Sequence, residues 1–234
     1  LSMGGLNDWS EEALIERTKA VAENIPIFGF YLQPAVGGKV LSYDFWQAFA
    51  EIPNVHAIKI APFNRYQTVD VVRAVCQSSR YKNIALYTGN DDNIVLDLLT
   101  SFRFEVNGEW REKSIVGGLL GHWAVWTQKA VEFLETIKKI KKEGNAISPE
   151  MLTKSIAVTD SNAAFFDAAN NFKGCIAGIH EVLRRQGLLQ GIWCLDPTEG
   201  LSPGQSEEIS RVYNAYPELN DDAFVKGNLK RWIV

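Results

Sequence analysis

"NVHAIKI", residues 54–60, decides how this chain is read. Val55, Ala57, Ile58 and Ile60 make it nearly continuous in apolar side chains, the pattern of a strand covered on both faces, and Pro62 stops it. Into that run the sequence sets one ammonium, Lys59. Three similar runs flank it: "IPIFGFYLQP" (25–34), closed by Pro34 and the Gly37-Gly38 pair, "NIALYTG" (83–89), and "SIVGGLLGH" (114–122). Helix signals lie between them. Asp8 with Glu11 resembles a capping box ahead of Leu14, Thr18 and Val21, Ser42 precedes "YDFWQAFAEI", and Thr68 precedes "VDVVRAVCQS".

The strand ends carry Tyr31, Lys59, Gly89 and Gly118, which follow one another at intervals of 28, 30 and 29 positions. That period is one strand, one crossover helix and two loops, the size of a βαβ unit. Buried apolar strands alternating with helices predict an α/β fold with a parallel sheet. Four such units make half of a (β/α)8 barrel, a fold that takes ~250 residues when complete. The expectation is therefore the second half of a TIM-type barrel over residues 1–135, with the missing strands upstream of Leu1. A helical C-terminal extension over 136–234 is expected to pack on it. In that tail "TQKAVEFLETIKKIKKEG" (127–144) and "SPGQSEEISRVYNAY" (202–216) read as helices, as does 159–187, where Gly174 and Gly178 are break points or close-packing sites. Its aromatics Phe165, Phe166, Trp193 and Tyr213 read as core.

Composition narrows the function classes. The 234 residues are 46% hydrophobic and 22% charged, the balance of a folded globular chain, with a formal net charge of −4. The basic run Lys138, Lys139, Lys141 and Lys142 lies on a predicted exposed helix, so nucleic acid is not an expected partner. No apolar run nears the ~20 residues of a membrane span, and the start carries no signal-peptide pattern. Three widely spaced cysteines, Cys76, Cys175 and Cys194, suggest neither a disulfide framework nor a zinc site and fit a reducing cytoplasm.

A lysine near the C-terminal end of a barrel strand stands where barrel enzymes keep their chemistry. Apolar burial favours a neutral amine able to attack a carbonyl. The plainer reading has Lys59 at the strand edge, its stem packed and its head snorkelling to water or paired with Asp91 or Asp92. Tyr31, one unit earlier, is either a partner in chemistry or a packed tyrosine with its hydroxyl tied off. "YTGNDD" (87–92) and "GGLLGH" (117–122) put glycine-bared backbone and carboxylates at the same mouth.

Taken together, these segments resemble the dihydrodipicolinate synthase and N-acetylneuraminate lyase family of class I aldolases. "FYLQPAVGGKVL" is similar to the family's Y-N-x-P segment, "VHAIKIA" to its G-[IV]-K strand, "LYTGNDD" to its G-x-D loop and "GGLLGH" to its last glycine-rich strand. The resemblance covers residues 1 to about 135. It implies Lys59 as the imine-forming nucleophile, Tyr31 as the proton-relay hydroxyl, and Gly89, Asp91 and Gly118 at the substrate end. It further implies a lyase acting on a pyruvate-like 2-oxo acid with no cofactor, in a homo-oligomer. Leu32 replaces the family's asparagine, and "AVGGKV" lacks the arginine of the synthases, so synthase activity itself is not expected.

No metal is expected either. His56, His122 and His180 form no i, i+4 pair, and His122 beside Trp123 and Trp126 reads as packing or as an outer neighbour of the site. Two rival readings remain at this stage: a truncated or non-catalytic partial barrel serving as a binding or assembly module, and a barrel enzyme that holds a phosphate at "GGLLGH". Leu119, Leu120 and the lack of a nearby arginine weigh against the second.

Overall fold

The computed structural model describes residues 1–118 and 121–233, with the backbone alone at 121 and 122. Leu119 and Leu120 of the "GGLLGH" segment, and the side chain of His122, lie outside the described residues. Two compact units are present, Leu1–Asn90 with Asp97–Leu119 and Asp91–Leu96 with Leu120–Val234. A boundary at residue 135 would cut a continuous 17-residue helix, Thr127–Glu143, and the chain divides ahead of that helix instead.

The first unit alternates helices and strands: α1 (Glu11–Ala22), β1 (Ile27–Leu32), α2 (Tyr43–Glu51), β2 (Val55–Ala61), α3 (Arg65–Gln77) and β3 (Ala85–Thr88), then the end of α4 (Ile94–Leu99), β4 (Ser101–Val106) and β5 (Glu109–Gly118). The sheet order is β1-β2-β3-β5-β4. β1, β2, β3 and the second part of β5 are parallel neighbours, half of a (β/α)8 barrel wall. α1 is capped by Ser10, which accepts from the Ala13 N–H, and not by Asp8. Asn64 caps α3, and Thr68 lies inside it with its hydroxyl on the Asn64 carbonyl. At α2 the expected cap, Ser42, accepts from the Phe45 N–H, and Glu11 accepts in turn from the Ser42 N–H at 2.7 Å, joining two helix starts.

One strand was not anticipated. β4 pairs antiparallel with the first part of β5, from Ser101↔Ser114 to Val106↔Glu109, around the turn Asn107-Gly108 with φ of 54° and 83°. Asn-Gly is the dipeptide that a two-residue hairpin requires, because both positions adopt positive φ. The hairpin is fastened to the end of α3: the Arg111 guanidinium donates to the carbonyls of Cys76 and Ser78 at 2.8 and 3.1 Å, and Lys113 to that of Tyr81 at 2.5 Å. Cations there meet the negative end of the helix dipole.

The core of this unit lies between the sheet and α2 and α3. Phe45, Trp46 and Phe49 of α2 are buried against the sheet, and Gly29 makes room, since a Cβ there would sit 2.6 Å from the Phe49 ring. Arg80 closes the opposite end of the sheet, donating to the carbonyls of Ala50, Ile52, Pro53 and Val55. After β1 the chain doubles back tightly. A Cβ on Gly38 would lie 1.9 Å from the Leu32 carbonyl oxygen and 2.5 Å from that of Gln33, whose oxygen also accepts the Gly38 N–H at 2.9 Å. Backbone cannot rotate out of the way as a side chain can, so Gly38→Ala should lower stability by roughly 2–3 kcal/mol, read by urea unfolding.

The second unit is helical: α5 (Thr127–Glu143), α6 (Pro149–Phe166), α7 (Cys175–Arg185), α8 (Gln205–Ala215) and α9 (Asp222–Trp232). The expected helix over 159–187 is two helices. α6 starts ten residues earlier, behind the cap Ser148 with Pro149 in its first turn, and stops at Asp167, which has φ of 60°. Gly174 precedes α7, and Gly178 admits the Phe165 carbonyl, which a Cβ would meet at 2.0 Å. Trp126, Phe165 and Tyr213 form the aromatic core, with ring centroids 4.9 and 5.0 Å from Trp126. Trp193 does not join it and stands 73% exposed. No described helix is long and apolar enough to cross a membrane.

The three cysteines are free and differ in setting. Cys76 is buried in α3, and burial pushes its thiol up to about 11. A raised thiol pKa contributes stability in full below the ordinary value of 9.0 and loses it as pH climbs from there toward 11. A disulfide reagent at pH 8 should titrate Cys175 and Cys194 in the folded protein, and Cys76 only after denaturant is added.

Candidate active site

Strand register sorts the central side chains onto two faces. Phe28 pairs with Ala57 and Ala57 with Ala85, while Phe30 pairs with Lys59, Lys59 with Tyr87 and Tyr87 with Gly117. Residues paired across parallel strands share a face, so Phe28, Phe30, Lys59 and Tyr87 stand together. Gly29, Tyr31, Ile58, Ile60, Leu86 and Thr88 take the other face, the one that packs on the helices.

Lys59 is the fifth of seven residues in β2, near the C-terminal end of a central strand. Its Nζ lies 4.3 Å from the centroid of the Phe30 ring. Such a contact stabilises a cation by ~0.5–2 kcal/mol and favours ammonium and iminium nitrogen alike. The Tyr87 ring sits on the other flank. It meets Phe28 edge-on at 5.6 Å and 71°, and it lies over Gly117, where a Cβ would come 2.9 Å from Cζ and 3.1 Å from the hydroxyl oxygen. The wall is thus a half-buried amine between an aromatic ring and a phenol, floored by Ala57, Ala85 and Gly117.

Tyr31 is not in that wall, which corrects the expected Lys59–Tyr31 pair. Its partner in the ladder is Ile60, it is fully buried, and its ring lies 4.9 Å from Trp46 of α2. The hydroxyl accepts from the Leu41 N–H at 3.3 Å and lies 3.5 Å from the Leu41 carbonyl. Burial raises its pKa, so the phenol stays protonated. The plainer reading of Tyr31, a packed ring with a tied hydroxyl, is the observed one.

Gly89 and Gly118 lie at the same end of the sheet as Lys59. The Gly89 N–H donates to the Ile60 carbonyl at 2.7 Å, extending the ladder past β3, and Gly118 ends β5 opposite Thr88. Asp91 belongs to the second unit, where its carbonyl accepts from Asn162 at 2.8 Å and the carbonyl of Asp92 accepts from Thr159 at 3.0 Å.

Sequence reading missed the polar cluster that shapes this rim. Asp97, wholly buried, accepts from Arg65 Nη1 at 2.5 Å, from Thr88 Oγ1 at 2.5 Å and from Asn90 Nδ2 at 3.0 Å. Asn90 also donates to Thr68 Oγ1 at 3.0 Å and accepts the Phe63 N–H at 3.1 Å. Phe63 has φ of 52°, a conformation that costs a bulky residue ~1–2 kcal/mol, and it lies in the loop directly after β2. The cluster therefore holds a strained turn four residues beyond Lys59. Among the described residues no group of three or more His, Cys, Asp or Glu side chains could hold a metal ion.

Neither a family model nor a curated protein matches the sequence. Solved structures do. Dihydrodipicolinate synthase from Bacteroides thetaiotaomicron is 15% identical with a TM-score of 0.65, over 88% of this chain and 62% of that one. The synthase from Thermotoga maritima is 19% identical with a TM-score of 0.64, over 90% and 63%. A variant of 2-keto-3-deoxygluconate aldolase from Sulfolobus solfataricus, in complex with pyruvate, is 15% identical with a TM-score of 0.55, over 97% and 64%. The likeness is one of fold: this chain has the architecture of part of the barrel of these enzymes and spans about three fifths of their length.

Proposed function

We propose that this chain is the amine-bearing part of a lyase that acts on a pyruvate-like 2-oxo acid through an imine at Lys59. The observation that carries the reading is the place of Lys59. It is a primary amine on the inward side of a central parallel strand, at the strand's C-terminal end, in a wall that includes Phe28, Phe30, Ala57, Ala85, Tyr87 and Gly117. Catalytic groups of (β/α)8 enzymes occupy that end of the strands. In the neutral form the amine adds to the C2 carbonyl of the acid, loses water and leaves an iminium that draws electrons from the adjacent C–C or C–H bond. Phe30 beneath the nitrogen stabilises that positive charge. Gly89 and Gly118 bare the backbone at the strand ends where the acid would lie. A cytoplasmic setting, supported by three free thiols, and a homo-oligomer belong to the same reading.

Borohydride reduction in the presence of pyruvate tests it. Mass spectrometry should find one added pyruvate-derived group per chain, on the peptide that contains Lys59. No adduct, or one that persists in Lys59→Ala, removes the reading. A non-catalytic assembly half is the second reading, favoured by Phe28, which is 40% exposed on this apolar face. It predicts no adduct together with a solution mass above that of one chain.

A further inference from the structure

On the premise of imine chemistry at Lys59, we infer that Tyr87 is the phenol that moves the proton. Two residues are paired with Lys59 in the sheet, Phe30 and Tyr87, and of these Tyr87 alone carries a hydroxyl. The other tyrosines of this unit are placed elsewhere. Tyr31 is on the helix-packing face, the Tyr43 hydroxyl donates to Gln77 Oε1 at 2.5 Å, Tyr66 is 85% exposed on α3, and the Tyr81 ring carries the Arg111 guanidinium at 4.6 Å.

The Tyr87 ring is also held in position. Phe28 presses on it edge-on from the β1 side, and Gly117 gives it a flat seat on the β5 side. Any larger residue at 117 would displace the ring near its hydroxyl end, at 3.1 Å from the oxygen. A glycine kept under the ring of a half-buried tyrosine is what a phenol held at a fixed height over the wall needs.

The step balances without an outside reagent. The Lys59 nitrogen adds to C2, and proton transfer within the adduct gives the neutral carbinolamine. The Tyr87 phenol gives its proton to the carbinolamine hydroxyl, which leaves as water, and the nitrogen lone pair forms the C=N bond of the iminium. The resulting phenolate takes a proton from C3, the C3–H electrons form C2=C3, and the C=N pair returns to nitrogen. Phenol is restored and the enamine is neutral.

The test separates this assignment from the imine itself. Full-length wild type, Tyr87→Phe, Tyr31→Phe and Gly117→Ala are incubated with pyruvate in D2O. Exchange at C3 is followed by NMR, and the borohydride adduct is measured after long incubation. The expected result is an endpoint adduct on Lys59 in all four, with exchange about 100-fold slower in Tyr87→Phe, the usual contribution of one acid–base group. Gly117→Ala should lie between, and Tyr31→Phe should exchange within a few-fold of wild type. Wild-type exchange in Tyr87→Phe with its adduct intact overturns the Tyr87 assignment and leaves the imine standing, as does exchange lost in Tyr31→Phe alone. Absence of adduct in every protein overturns both.

Discussion

Lys59→Met should lose 2-oxo acid turnover by roughly 10⁴-fold or more, the scale on which covalent mechanisms fail when their nucleophile is removed. The fold should remain. Lys59 is half-buried with its nitrogen on the Phe30 ring, so the contacts that the substitution removes include a cation–π contact of about 0.5–2 kcal/mol, part of which returns as buried methionine surface. The melting temperature should then move by no more than about 5 °C. Lys59→Arg sharpens the test, because it keeps the cation over the ring and removes the primary amine. Near-native melting with no adduct and no turnover in Lys59→Arg separates a chemical role from a packing one. Activity retained in the arginine variant would show that positive charge, and not imine formation, is what this position supplies.

Asp97→Ala should destabilise the first unit by about 3–5 kcal/mol. The carboxylate is wholly buried and serves donors that include Arg65, Thr88 and Asn90. Without it the Thr88 hydroxyl hydrogen and one Asn90 amide hydrogen lose their buried acceptor, at ~1–3 kcal/mol apiece before relaxation, while Asn90 Nδ2 keeps Thr68 Oγ1. Arg65 is 42% exposed and can turn to water, which tempers the loss. For a chain of this size the melting temperature should fall by roughly 10 °C. Asp97→Asn keeps the shape and one acceptor and should cost about half as much. Thermal unfolding by circular dichroism checks both values, and an alanine variant that melts like wild type would mean the cluster carries no net stability. Because Asn90 also accepts the Phe63 N–H, any loosening should reach the turn that follows β2.

What could be read in the sequence, and what could not, follows from strand geometry. The spacing of apolar runs located β1, β2 and β3 and put Lys59 near a strand end, because a βαβ unit has a nearly fixed length. The face of Tyr31 was not legible. "IFGFYL" has aromatic side chains at both parities, Phe28 and Phe30 on one side and Tyr31 on the other, so the alternation that marks an inside and an outside is lost in a strand covered on both faces. A shift of one residue reverses every side chain, and the register itself shifts between Ile27 and Phe28. The Asn107-Gly108 turn was legible and went unread, since the run after 114 looked like a strand in its own right. Asp97 could not have been found, because an aspartate in the first turn of α4 has the signature of a solvated cap until its partners fold around it.

The division of β5 between two neighbours has a consequence for ring closure. Residues 109–114 are matched to β4 and residues 115–118 to β3, so the two pairings occupy successive lengths of one strand without overlap. The hairpin is a spur hung below the wall and does not lie alongside its last stave. A strand added beside 115–118 would reach that flank with the spur in place. Trimming 102–113 to a short tie should therefore leave the rim that bears the amine intact.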